Sequence, residues 1–326
     1  MADPETIAEA LTAAAVKHLG APVTISNLNP LTGGSSSESW LFDALVGQER
    51  LELVLRRAPG GKERAPVDKP TEARLQQLAA EKDVPVPRIR FILDEDDELA
   101  PGYVMDRIAG ETIPRKILRD EQYREARPKL ARQCGEIMAR IHSVDVEALP
   151  PLEYVPAGQQ VERFQAVPQH YQLDLPVFEL AIRWLAEHLP PETDPCLVHG
   201  DLRNGNLIVG PEGIRAVLDW ELAHSGAPME DLAWISVNSW RFGNIDQPVG
   251  GFGQREELFA GYEAAGGGPV DGEAVHFWEV FGTLKWGVIC IVQVFTHLTG
   301  GVRSVNRVAI GRRVSETEID LLNLLT

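Results

Sequence analysis

Residues 196–221 read CLVHGDLRNGNLIVGPEGIRAVLDWE, and this stretch decides the fold. His199-Gly200-Asp201 opens it, and Asn206 follows five positions after Asp201. A short apolar run (LIV), a Pro-Glu-Gly turn and a second run, AVLDW, carry the chain to Asp219. Two strands joined by so short a turn form a hairpin whose ends meet, so Asn206 and Asp219 converge. Oxygen ligands converging beside a third carboxylate suit Mg²⁺, which takes few protein groups and completes its shell with water and phosphate oxygens. Asp201, ahead of Asn206 on the same loop, is placed to orient an attacking hydroxyl and accept its proton. One HGD tripeptide alone is a weak signal. The ordered set of HGD, Asn206, Asp219 and the later Asp231 is a strong one.

This spacing matches the catalytic loop and magnesium aspartate of protein kinases. HGDLRNGNL, LDWE and PMEDLAW (228–234) resemble the aminoglycoside phosphotransferase and choline kinase superfamily, where HGD replaces HRD and an LDWE-like motif replaces DFG. VLRR, YVMDRIAG, DLAW…SWRFG and LKWGVICIVQ are similar to the kinase-like domains linked to acyl-CoA dehydrogenases and to their free-standing bacterial relatives. The resemblance covers most of the chain. It implies an α+β, bilobal protein-kinase-like fold, with a small antiparallel β lobe carrying one helix and a larger, mostly α lobe. It also implies an enzyme that uses ATP and Mg²⁺ to move the γ-phosphate to a hydroxyl of a small molecule. Asp201 then corresponds to the catalytic aspartate, and Asn206 and Asp219 to the metal ligands. Arg203 stands where protein kinases place a lysine that touches the transferred phosphate, and can stabilise charge on it. His199 is read as an orienting residue, and Asp231 as a group that bonds the backbone of the catalytic segment.

Upstream of the motif the pattern is that of a nucleotide lobe, residues 1–105. Pro4–Leu19 has apolar positions at helical spacing, with Gly20 as a stop signal. VTISNL, SESWLFDAL and RLELVLRRA are β-rich runs, the first two separated by TGGSSS. In that turn Gly33, Gly34, Ser35 and Ser36 are predicted to cover phosphates through backbone amides and hydroxyls. The lysine that this superfamily carries on its third strand is replaced by Arg56, which keeps the charge with a different reach. Arg57 is the alternative, because neighbouring strand residues face opposite sides. Glu72, on a helix predicted over 71–81, is the expected partner of Arg56, with Glu81 as a second candidate. The polar run Pro59–Pro70 is predicted to be an exposed loop, and the acidic DEDDE (94–98) a solvated turn. In YVMDRIAG the resemblance implies the interlobe hinge, where Met105, Asp106 and Ile108 border adenine and backbone groups bond it.

Residues 106–326 form the predicted helical lobe, with helices over 122–142, 175–189, 258–265 and 272–299. Its late segments, with Trp240, Arg241, Phe242, Trp278, Lys285 and Trp286, are expected to wall the pocket for the acceptor. Aromatic residues at helical spacing serve a core equally well. Arg303, Arg307, Arg312 and Arg313 form a basic cluster suited to an anionic acceptor or to surface ion pairs. His142 is read as structural. The chain of 326 residues carries a formal charge of −17, which repels nucleic acid and anionic lipid as main partners. Cys134, Cys196 and Cys290 lack metal-ligand spacing and read as buried thiols of a reducing compartment. The acidic N-terminal stretch lacks the basic region of a signal peptide. Lys285, Gln293 and His297 interrupt the apolar run 280–298, so it reads as a core helix. A cytoplasmic enzyme acting on a small hydroxyl compound is expected. The competing readings are a nucleotide-binding pseudokinase with a regulatory role and a metal-dependent hydrolase; the latter leaves the spacing of Asn206 and LDWE unexplained.

Overall fold

The computed structural model describes residues 3–31, 37–62, 65–299 and 304–326. It starts with helix α1 (Pro4–Leu19), capped by the Asp3 carboxylate on the amide of Thr6 and closed by Gly20 in the left-handed region (φ 66°). Strands β1 (Val23–Leu31), β2 (Glu38–Val46), β3 (Glu49–Arg57), β4 (Ile89–Ile92) and β5 (Gly102–Asp106) follow. They form one antiparallel sheet in the order β1-β2-β3-β5-β4. Helix α2 (Lys69–Ala80) is inserted between β3 and β4.

The two faces of β3 are clad differently, as the twofold side-chain alternation of a strand requires. Leu53 and Leu55 pack with Trp40, Phe42, Val104 and the apolar side of α1. Val54 packs with Tyr103, Met105 and Ala73 of α2. Arg56 therefore shares the α2 side with Val54, whereas Arg57 belongs to the α1 side, where its Nε lies 3.7 Å from Glu38.

Two expectations for this lobe are corrected. The end of the 59–70 run is not an exposed loop: Val67 is buried, and Lys69 is 0% exposed and opens α2. Asp68 caps that helix by accepting from the amide of Thr71 at 2.8 Å, and Pro70 fits its first turn. The acidic DEDDE run is only partly solvated. Asp97 is held by His18 Nε2 at 2.7 Å and Lys17 Nζ at 3.1 Å, so the last turn of α1 pins the turn.

The second lobe comprises α3 (Pro114–Arg119), α4 (Arg127–His142), α5 (Ala157–His170), α6 (Pro176–Glu187), α7 (Met229–Trp234), α8 (Arg255–Ala264), α9 (Gly272–Leu298), α10 (Val305–Gly311) and α11 (Val314–Leu325). Two small hairpin-like sheets sit among them. One pairs β6 (Cys196–Val198) with β9 (His224–Gly226), and the other pairs β7 (Leu207–Gly210) with β8 (Gly213–Val217). Helix α4 begins later than predicted, at Arg127, with Pro128 in its first turn. Helix α5 escaped the periodicity reading altogether. Helix α9 is long and apolar enough, by length and composition, to cross a membrane. Here its buried residues join the core, and it packs on α5, α6, α7, α10 and α11. Helices α4 and α8 cross at glycines: a Cβ on Gly135 would collide with the carbonyl oxygen of Leu258, and one on Gly261 with that of Arg132. All three cysteines are free and buried.

Candidate active site

The loop after β6 is held from below by one carboxylate. Asp231, on α7, accepts from the amides of His199 at 2.8 Å and Gly200 at 2.9 Å. It also accepts from His142 Nε2 at 3.2 Å, and the other ring nitrogen of His142 meets the Tyr262 hydroxyl at 3.0 Å. Burial alone raises the Asp231 pKa. The bond from His142, the nearby imidazoles and the His199 amide outweigh it and hold the group down to about 2. Gly200 has φ 76°, and a Cβ there would strike the carbonyl oxygen of Leu222, so only glycine fits between His199 and Asp201.

His199 joins this loop to the next. Its Nδ1 accepts from the amide of Asp201 at 3.2 Å, so Nε2 carries the proton and donates to the Leu218 carbonyl at 3.2 Å. Burial lowers its pKa against the opposing pull of Asp231, Asp201 and Asp219, which suits a neutral ring. The imidazole packs on Trp220, with ring centroids 4.7 Å apart. It acts as a bracket between the Asp201 and Asp219 loops.

Both oxygens of Asp201 are held. Oδ1 accepts from Arg203 Nε at 3.0 Å and Trp234 Nε1 at 2.9 Å, and Oδ2 accepts from Asn206 Nδ2 at 2.6 Å. Asn206 Nδ2 also donates to the Asp201 carbonyl at 2.9 Å, which commits its amino group, so the side-chain oxygen Oδ1 is the atom that could serve a cation. The amide of Leu218 donates to the backbone carbonyl of Asn206 at 2.8 Å, and β7 and β8 pair from Leu207 against Val217. The hairpin thus brings Asn206 next to the segment of Asp219. Arg203 does more than follow Asp201 in sequence: its guanidinium lies 4.5 Å from the Trp240 ring centre, and Trp240 meets Trp286.

Asp219 adopts left-handed backbone angles (φ 72°, ψ 61°), a conformation disfavoured for a residue with a Cβ and tolerated where surrounding structure enforces it. Its carboxylate accepts from Arg56, whose Nε lies 3.1 Å from Glu72 Oε1. Burial raises the Asp219 pKa, and the Arg56 guanidinium outweighs it and holds the group ionised below the usual carboxylate range. Glu72 is therefore the neighbour of Arg56, and Arg57 faces away. Sequence reasoning missed two further members. Lys69 Nζ lies 2.6 Å from Glu72 Oε2, and Glu221 Oε2 lies 3.7 Å from Arg56 and 3.8 Å from Lys69. The Tyr103 hydroxyl donates to Glu72 Oε1 at 3.1 Å.

Gly33, Gly34, Ser35 and Ser36 lie outside the described residues, as does Arg303. At the lobe junction the Met105 side chain is buried and Asp106 pairs with Arg90 at 2.5 Å. The amides of Asp106 and Arg107 donate to the carbonyls of Arg88 and Glu52, both at 2.9 Å. Ile108 follows them directly. Beside the His199–Asn206 loop lies a cavity of about 470 Å³ lined by Val67, Leu152, Phe164, His224, Glu230 and Lys285, among others. Lys285 Nζ reaches the Gly200 carbonyl at 3.5 Å and lies 4.8 Å from the Trp234 ring centre. Trp278, by contrast, packs in the core against Phe277 and Phe281.

A family model described as "Phosphotransferase enzyme family" matches residues 27–267. Acyl-CoA dehydrogenase family member 10 of Mus musculus is 32% identical over 198 residues, which are 56% of this chain and 18% of that protein. Family member 11 of Homo sapiens is 29% identical over 200 residues, 56% of this chain and 25% of that protein. The chain thus spans a quarter or less of the length of these relatives. Among solved structures, a protein described as a putative aminoglycoside phosphotransferase from Ralstonia eutropha superposes with a TM-score of 0.70 at 23% identity, covering 97% of each chain. A choline/ethanolamine kinase family protein from Mesorhizobium loti gives 0.63 at 21%, covering 92% of this chain and 88% of the other. These likenesses share the two-lobed kinase-like fold.

Proposed function

Because this chain belongs to the phosphotransferase enzyme family, we propose that it moves the γ-phosphate of ATP, with Mg²⁺, to a hydroxyl of a small molecule. The observation that carries this reading is Asp201, whose carboxylate is fixed through both oxygens beside Asn206 and the Asp219 hairpin. The donor set fits the metal: the Asn206 carbonyl oxygen and an ionised Asp219 are hard oxygen donors. Held there, a magnesium ion would neutralise charge on the phosphate oxygens.

The chain's own residues do the rest. Asp201 orients the acceptor hydroxyl and accepts its proton as the oxygen attacks phosphorus, and the leaving oxygen departs on ADP. Arg203, bonded to that carboxylate and stacked on Trp240, is poised to meet the moving phosphoryl group. Arg56 takes the position from which a cation holds the α- and β-phosphates, and Ile108 offers backbone groups to adenine. Gly33, Gly34, Ser35 and Ser36 would cover the phosphates. The cavity at Lys285 is the acceptor's place, and its mixture of apolar walls with Glu230, His224 and Lys285 suits an uncharged or zwitterionic compound better than a polycation. The cytoplasm, where ATP is plentiful, is the proposed location.

The test follows labelled γ-phosphate from ATP, with magnesium, into pooled aminoglycosides, amino alcohols, sugars, and hydroxy acids with their coenzyme A thioesters. Asp201→Asn should lower transfer about a thousandfold while nucleotide affinity stays within a few-fold. Transfer by Asp201→Asn at the wild-type rate would refute the assignment. ATP binding without transfer into any pool would favour the regulatory pseudokinase.

A further inference from the structure

The nucleotide-side cluster holds two cations on one carboxylate, and their division of it is specific. Glu72 is 0% exposed, and so is Lys69. Lys69 Nζ takes Oε2 at 2.6 Å, while the nearest approach of Arg56 to this carboxylate is Nε, 3.1 Å from Oε1 and not aligned to hydrogen-bond it. Arginine ordinarily grips a carboxylate with two parallel N–H groups. Here the Nε tooth of that fork lies near Glu72 without hydrogen-bonding it, and the terminal nitrogen NH2 of Arg56 reaches Asp219 instead. The Tyr103 hydroxyl adds to the Oε1 side, and its own oxygen accepts from Gln76 at 3.0 Å. The backbone contributes as well, since the amide of Val67 donates to the Glu221 carbonyl at 3.3 Å, two residues from Asp219.

We propose that Lys69 is a positioning residue for nucleotide binding: by occupying Glu72 Oε2 it denies Arg56 a two-pronged pair and turns the guanidinium toward Asp219 and the phosphates. The inference rests on the nucleotide-binding reading above. It accounts for an arginine at a strand position that the superfamily fills with lysine. A lysine is a point charge that needs no such steering, whereas a guanidinium beside an unshared carboxylate settles on it through both nitrogens. Lys69 supplies the charge that keeps Glu72 neutralised from the other side, and its link to Glu221 ties the start of α2 to the Asp219 segment.

A double-mutant cycle on the affinity for Mg·ATP tests this, using Lys69→Met, Arg56→Met and the double variant. Circular dichroism and thermal midpoints identify the folded variants. Lys69→Met is expected to weaken Mg·ATP about tenfold, with the KM for the acceptor within twofold. In the Arg56→Met background the same change should have less than a twofold effect, because the residue it steers is gone. Two independent, multiplying losses would overturn the proposal, and so would a Lys69→Met protein that folds and binds Mg·ATP like the wild type. If Lys69→Met does not fold, Lys69→Arg replaces it in the cycle and must lose affinity only when Arg56 is present. A wild-type protein that binds no Mg·ATP would sink the nucleotide reading itself, and Lys69 steering with it. Wild-type binding with an additive cycle would sink only the latter.

Discussion

The Asp201 loop and the ion cluster around Asp219 are held in different ways. Around Asp201, hydrogen bonds with fixed directions do most of the holding: backbone amides on Asp231, a neutral His199 between two loops, and an indole, an amide and one guanidinium on one carboxylate. Around Asp219, charge does it: Arg56 and Lys69 share Glu72, Asp219 and Glu221, drawn from β3, α2 and the segment after β8. Directional bonds have one good geometry, so the first region is prebuilt. Charge attraction falls off slowly with distance, so the second keeps favourable partners if it rearranges when a new ion or phosphate enters. On the proposed function, the loop that would hold a reacting group still is the rigid one, and the region that would admit a highly charged ligand is the exchangeable one.

Substitutions can break this contrast. Asp231→Ala should be the costliest, destabilising the fold by about 3 kcal/mol because two buried amides and His142 lose their acceptor together. Urea unfolding measures it, and a loss under 1 kcal/mol would mean the loop is held by something else. Asp219→Ala should behave differently. Stability should change little, since Arg56 keeps Glu72, while Mg·ATP affinity falls about a hundredfold in titration calorimetry. If Asp219→Ala unfolded the protein as readily as Asp231→Ala, the two regions would be alike after all.

Acid gives the smallest and most selective effect. Asp231 is held at about 2, below its ordinary 3.8. A depressed carboxylate stabilises the fold above its unfolded value and loses that contribution as pH falls through its folded one. Stability traceable to Asp231 should therefore be complete above about pH 5 and vanish below about pH 2, amounting to roughly 2 kcal/mol. Asp231→Asn should flatten that part of the stability curve, and an unchanged slope would contradict the assignment.

The same contrast explains what could be read in advance. The pieces of the catalytic loop lie within one contiguous stretch, 201–221, closed by a local hairpin, so spacing alone brought Asn206 toward Asp219. Arg56 and Glu72 were legible through strand alternation and resemblance. Lys69 was not, because it sits in a run rich in proline and charge that looks like a loop, and its partners are tertiary. Asp97 and His18 failed to show for the same reason, being brought together only by α1 lying along the sheet. Helix α5 hid behind Pro168 and a polar composition.

The crossing of α4 and α8 has a consequence that no functional group reveals. His142 ends one of these helices and Tyr262 rides on the other, and the two meet at 3.0 Å beneath Asp231. Their separation is set by Gly135 and Gly261, where the backbones touch with no room for a single carbon. Two residues without side chains therefore act as the gauge block of the candidate active site. In a lineage of such sequences they should drift more slowly than many of the charged groups around the cleft, for they set the seat on which the support of the Asp201 loop rests.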